Sequence, residues 1–102
     1  MSFVENLKKN NIILRTTAKT RWDLIDEIVD LAVRNDEISA DDRDIIRDAL
    51  VEREKSMSTG IGNGVAIPHC TTTRIQDMTI LMALSQKGID FEAIDNNPVR
   101  IV

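Results

Sequence analysis

Ser58-Thr59-Gly60-Ile61-Gly62-Asn63-Gly64-Val65-Ala66-Ile67-Pro68-His69 holds three of the chain's four glycines and its only histidine. Glycine admits positive φ and close backbone approach, so this loop is built for a tight turn or for contact with a small group. Asn63-Gly64 between Ile61 and Val65 is a hairpin-turn signal. Val65 to His69 reads as a short strand with Val65, Ile67 and His69 on one face, halted near Pro68, which has no N–H for a ladder.

Upstream, Asn11 to Leu14 is a short apolar run that reads as a strand. From Thr20 the pattern turns helical: Thr20 and Asp23 form a capping pair, and Trp22, Ile25, Ile28, Val29 and Ala32 recur at spacings of three and four, predicting a helix to about Arg34. Asn35-Asp36-Glu37 breaks it. Ser39, followed by Asp41 and Asp42, opens a second helix from about Ala40 to Glu54, with Ile46, Ala49 and Leu50 as its apolar stripe. Downstream, Met78 to Leu84 is a near-continuous apolar run of the kind found in strands buried on both faces. Gly88 and Asp95-Asn96-Asn97-Pro98 punctuate the segment beyond that run. Val99-Arg100-Ile101-Val102 is strand-like again, and read as an open apolar edge it would be completed by a second copy of the chain.

The composition excludes several classes. One hundred and two residues, 42% hydrophobic and 29% charged, fit a single soluble domain with one modest core. Thirteen Lys and Arg against seventeen Asp and Glu give a net charge of -4 with no basic cluster, which argues against nucleic acid as a ligand. The opening residues lack a signal-peptide core and no segment is long enough to span a bilayer, so the expected location is cytoplasmic without membrane insertion. One Cys and one His cannot make an intramolecular disulfide framework or a structural zinc site, and no metal or cofactor is expected.

Two residues stand out chemically. His69 closes an apolar segment directly after the glycine loop; a lone histidine is ordinarily a surface or satisfied core residue, but this setting also suits a nucleophile beside a phosphate. Counting from Ile46 through Ala49 and Leu50 lands on Arg53, placing a guanidinium at the end of a core-facing stripe. It either snorkels near the helix C-terminus or clamps an anion beneath the loop. The glycines match neither the dinucleotide fingerprint nor a nucleotide P-loop. Cys70 points away from its neighbour His69 in an extended segment and reads as an inert thiol, and Thr71, Thr72 and Thr73 read as a solvated turn.

The stretch Ser58 to His69 resembles the enzyme IIA domain of the fructose/mannitol class of the bacterial phosphoenolpyruvate-dependent phosphotransferase system, including its nitrogen-regulatory relatives. Ala49-Leu50-Val51-Glu52-Arg53-Glu54 is similar to the helix leading into that motif, and Lys87 to Asp95 with Pro98-Val99 to a later segment. The resemblance implies an α/β fold with a mixed β-sheet flanked by helices. It implies that His69 is the phosphoacceptor and that Arg53 contacts the phosphoryl group; with these, the glycine-rich segment Ser58, Thr59, Gly60, Gly62, Asn63 and Gly64 is expected to form a phosphate-binding loop through its backbone amides. The implied partners are the histidine-containing phosphocarrier protein as donor and a IIB component or a regulatory target as acceptor. Cys70 stands where the family commonly has glycine. The family domain also runs on past the point matching Val102, with a second active-site histidine, so residues 1–102 read as an enzyme IIA domain incomplete at its C-terminus.

Overall fold

The computed structural model describes residues 6–75 and 78–102, so the opening Met1 to Glu5 lies outside the described residues. The chain runs β1 (Leu7–Ile13), α1 (Arg21–Arg34), a 3-10 turn (Ala40–Asp42), α2 (Arg43–Ser56), β2 (Gly60–Gly62), β3 (Val65–Ala66), β4 (Ile80–Ile89) and β5 (Val99–Ile101). The strands form one mixed five-stranded sheet in the order β1-β4-β5-β3-β2, with α1 packed on it and α2 packed against α1. The β1–β4 and β3–β5 pairs are parallel, and the β4–β5 and β2–β3 pairs antiparallel.

α1 begins where the sequence places it. The Thr20 hydroxyl accepts the Asp23 N–H at 3.1 Å, satisfying one of the helix's orphan donors. Its buried face carries two cores. Leu24 packs with Ala66, Ala83, Ile89, Phe91, Ala93 and Val99 of the sheet and the segment after β4. Ile25, Val29 and Ala32 pack with Ile38, Ile46 and Val51, joining α1 to α2. Across the wet rim of that helix pair, Arg43 donates to Asp30 and Arg47 to Asp26, both at 2.7 Å. Such partly exposed ion pairs contribute at most about 1 kcal/mol each.

Several expectations are corrected. The first strand starts at Leu7 rather than Asn11, and its buried Asn11 donates to Glu37 and accepts from Asn35. The second helix does not start at Ala40: the Ser39 cap accepts the Asp41 N–H at 3.2 Å and closes a 3-10 turn, and α-helical geometry begins at Arg43. Its core face also differs from the Ile46-Ala49-Leu50-Arg53 reading. Ile46, Val51 and Glu54 are the buried residues, so the stripe drifts one position and ends on a glutamate while Arg53 is half-exposed. The strand after Met78 extends to Ile89, five residues beyond Leu84.

β5 is not an open edge. It lies between β4 and β3, with Leu84 opposite Ile101, Ile89 opposite Val99, and Val65 opposite Ile101. Val102 and Ala83 exchange both backbone hydrogen bonds, and Gly64 O accepts from the Arg100 and Ile101 amides. Both sides of the final strand are therefore occupied within the chain, and pairing with a second copy through it has no free edge to use. Of the run that suggested an edge, Val99 is fully buried in the core, whereas Ile101 is exposed although its strand is central.

Leu24 is fully buried between α1 and the sheet. Leu24→Ala is expected to cost about 2–5 kcal/mol, a large share of the stability of a domain this size, measured as a drop in the urea midpoint with an unchanged slope.

Candidate functional site

The β2–β3 hairpin turns at Asn63 (φ 57°) and Gly64 (φ 78°), the two consecutive left-handed residues that a type I′ turn requires. β3 covers only Val65 and Ala66, because Pro68 cannot extend the ladder. Ala66 is the buried member, and Ile67 and His69 emerge into a cleft of about 630 Å³ lined also by Arg53, Met57, Ser58, Thr59, Gly60, Ile61 and Ile94. The structure thus brings together His69, Arg53, Ser58, Thr59 and Gly60. Gly62, Asn63 and Gly64 do not line this cleft; they shape the hairpin on its far side. Val65, expected on the histidine's face, is likewise not among the lining residues.

His69 is exposed, and its Nδ1 lies 2.7 Å from the Ile67 carbonyl oxygen. A carbonyl only accepts, so Nδ1 carries the proton and, in the neutral ring, the lone pair is on Nε2. Arg53 reaches the cleft from the last turn of α2, where its Nη1 donates to the Met57 carbonyl at 2.6 Å. That contact fixes one edge of a planar group with five donors.

Much of the loop's backbone is already engaged. The Thr59 N–H donates to Glu54, the Gly60 N–H to Ser58 Oγ at 3.0 Å, and the Asn63 N–H to Asp95 Oδ2 at 3.0 Å. Ser58 Oγ in turn donates to the Phe91 carbonyl. Gly60 is required by close approach: a Cβ there would meet the Ala93 Cβ at 2.7 Å and its Cα at 2.8 Å. The loop is pressed against the segment after β4, with no room for a side chain between them.

Beneath the cleft floor lies a group that the sequence reading passed over. Glu54 is 1% exposed; its carboxylate accepts the Thr59 N–H at 3.1 and 3.2 Å, the Thr59 hydroxyl at 2.5 Å and Arg21 Nη1 at 3.1 Å. Arg21 also donates to the Phe91 carbonyl and to Glu92, each at 3.0 Å, and lies over the Trp22 ring. The available signal was spacing: Ile46, Leu50 and Glu54 are successive i, i+4 positions on one helix face. Cys70 packs against the α1–α2 core, where burial pushes its thiol pKa up, in keeping with an inert thiol. Thr72 Oγ1 accepts the Arg74 N–H at 3.1 Å, a local turn contact.

Residues 5–102 match the phosphoenolpyruvate-dependent sugar phosphotransferase system EIIA 2 family. The chain belongs to this family. It is 41% identical over 91 residues to the fructose-specific EIIA component of Haloferax volcanii, covering 89% of this chain and 58% of that protein. It is also 37% identical over 79 residues to a nitrogen regulatory protein of Pseudomonas aeruginosa, covering 78% of this chain and 50% of that one. Among solved structures, the nitrogen regulatory protein IIA-Ntr of Neisseria meningitidis superposes with a TM-score of 0.84 at 31% identity, over 98% of this chain and 67% of that one. Enzyme IIAMtl from Escherichia coli, solved in complex with phosphorylated enzyme IIBMtl, shares the fold with a TM-score of 0.78 at 22% identity, over 94% and 67% of the two chains. This EIIA chain thus spans 58% and 50% of the lengths of the two curated relatives just named. Among its described residues no helix is long and apolar enough to cross a membrane.

The hairpin that supports the EIIA cleft has an acid-sensitive tie. The amides of Asn97 and Asn63 hold the Asp95 carboxyl below the usual carboxylate range. A depressed folded-state pKa contributes stability above the unfolded value and loses it as pH falls through the folded one. Acidification is therefore expected to release the Asn63 turn before the core opens, seen as lower protection of the Asn63 and Asn97 amides, relative to their intrinsic exchange rates at the same pH, in wild type and already at neutral pH in Asp95→Ala.

Proposed function

We propose that this EIIA chain is a cytoplasmic phosphoryl carrier in which His69 accepts the phosphoryl group and Arg53 stabilises it. The observation that carries the reading is the Nδ1–H bond from His69 to the Ile67 carbonyl, which leaves Nε2 as the nucleophilic nitrogen of a ring lining the same cleft as a guanidinium. The donor is the phosphohistidine of the histidine-containing phosphocarrier protein. In the transfer, Nε2 attacks phosphorus in line, a new N–P bond forms as the donor's N–P bond breaks, and the electron pair returns to the donor imidazole. Nδ1 keeps its proton throughout, so no separate base is needed. Arg53 offers its remaining donors to the equatorial oxygens, where charge is spread in a loose transition state.

Within the proposed phosphate-binding loop the roles divide. Ser58, Thr59 and Gly60 form the wall, and because the Thr59 and Gly60 amides are already engaged, their part is to hold the cleft's shape around the phosphoryl group. Gly62, Asn63 and Gly64 act through the hairpin that carries Ile67 and His69. Exposed Met57, Ile61, Ile67 and Ile94 rim the cleft, an apolar collar suited to excluding water when a partner protein docks over the histidine. Onward transfer to a IIB component follows the same chemistry in reverse.

A second reading is favoured by the nitrogen regulatory relatives: phosphorylation of His69 adds charge inside the apolar collar and switches binding to a regulatory target. The two readings share the acceptor chemistry and differ in what the phosphorylated form meets next.

Incubation with phosphoenolpyruvate, enzyme I and the histidine carrier is expected to give an acid-labile adduct of one phosphoryl group by intact mass, absent in His69→Ala. An adduct on the alanine variant overturns the assignment. Arg53→Ala should slow single-turnover transfer by about a hundredfold, the usual effect of losing one donor to developing charge. An unchanged rate removes Arg53 from the site.

A further inference from the structure

Glu54 is buried, ionically paired and unused by the transfer chemistry, and its hydrogen bonds form the start of a continuous chain. Its carboxylate holds Thr59 by both the amide and the hydroxyl. The Thr59 carbonyl accepts the Ile67 N–H at 3.1 Å. The Ile67 carbonyl accepts the His69 Nδ1–H at 2.7 Å. From this sequence of contacts we infer that Glu54 is a positioning residue for His69: it fixes Thr59, Thr59 fixes Ile67, and Ile67 selects the ring tautomer that exposes the Nε2 lone pair.

Each link depends on the one before it. β3 ends at Ala66, and Pro68 contributes no N–H, so the Thr59–Ile67 bond is the backbone tie that aims the Ile67 carbonyl. Thr59 lies outside the β2 ladder and is held by the Glu54 carboxylate. Arg21, only slightly exposed, compensates the charge and is itself anchored on the Phe91 carbonyl. Glu54 also sets the phase of α2: with its side chain locked inward, the preceding residue, about 100° around the helix, is turned toward the cleft, and that residue is Arg53. One buried carboxylate therefore orients both members of the proposed site, although it touches neither.

The catalytic meaning of this inference rests on the proposed acceptor role of His69, whereas the coupling of Glu54 to the ring tautomer has a readout that does not require transfer. Nitrogen-15 shifts of the neutral imidazole at alkaline pH report the ratio of the Nδ1–H to the Nε2–H form. In wild type the Nδ1–H form should dominate. In folded Glu54→Gln, where an amide replaces the acceptor of Thr59 and Arg21, the ratio should fall by roughly three- to tenfold, the span of one net hydrogen bond. The maximal single-turnover rate should fall by a similar factor, with the donor-protein concentration at half-maximal rate unchanged, because the apolar collar is intact. Thr59→Val should move the ratio in the same direction, Thr59→Ser should retain it, and Glu92→Gln, which alters only the exposed partner of Arg21, should leave both readouts at wild-type values.

A wild-type ratio in folded Glu54→Gln or Thr59→Val overturns the inference. If both variants fail to fold, the wild type decides: the Ile67 amide must exchange far more slowly than an open amide, and unprotected exchange there breaks the chain. A shifted tautomer in a protein that never accepts phosphate would sink the phosphocarrier reading and leave this one standing.

Discussion

A carboxylate with no access to water must find its compensation inside the protein, and Glu54 finds it in three separate segments, two of them distant in sequence. Arg21 comes from the first turn of α1, Thr59 from the loop entering β2, and the Phe91 carbonyl, through Arg21, from the turn after β4. Isolated burial of such a charge would cost several kcal/mol, so these segments are obliged to stay together. Ser58 reinforces the same junction by donating to the same Phe91 carbonyl. The cleft floor is thus a polar knot under an apolar rim, set beside the Leu24–Phe91 core.

That arrangement separates rigidity from recognition. The floor is hydrogen-bonded, buried and tied to the sheet, whereas Met57, Ile61, Ile67 and Ile94 on the rim are exposed and make few demands on the fold. For the phosphoryl carrier proposed above, which would have to hold one imidazole in one tautomer while meeting more than one partner, a fixed floor with an adaptable apolar collar would serve both needs.

The contrast between Arg53 and Glu54 shows how far sequence reading reached. Both follow the apolar stripe of α2, and a count by threes and fours permits either to be the inward residue. The count through Ile46, Ala49 and Leu50 lands on Arg53 and leaves Glu54 unconsidered. The structure buries Glu54, because a neighbouring helix brings a guanidinium and the next loop brings an amide and a hydroxyl, and none of these is adjacent in sequence. In the same way the final strand read as an open edge, since an apolar tetrapeptide carries no information about which strands lie beside it.

By itself, the sequence determined what local chemistry dictates: the Thr20 cap and the run of α1, the left-handed Asn63-Gly64 turn, the strand stop at Pro68, and the pairing of a glycine loop with a histidine. These features arise from steric limits and hydrogen-bonding capacity within a few residues. Only the tertiary structure decided that β5 is interior, that Gly60 must lack a side chain because Ala93 lies against it, and that Thr59, Ile67 and His69 form one hydrogen-bonded line from a buried carboxylate. The first two depend on contacts between segments far apart in the chain, and so does the Arg21 that compensates the carboxylate, 33 residues from Glu54 and 70 from Phe91; the line itself runs within residues 54–69. Such contacts are set by how the whole core packs rather than by any residue's own preference.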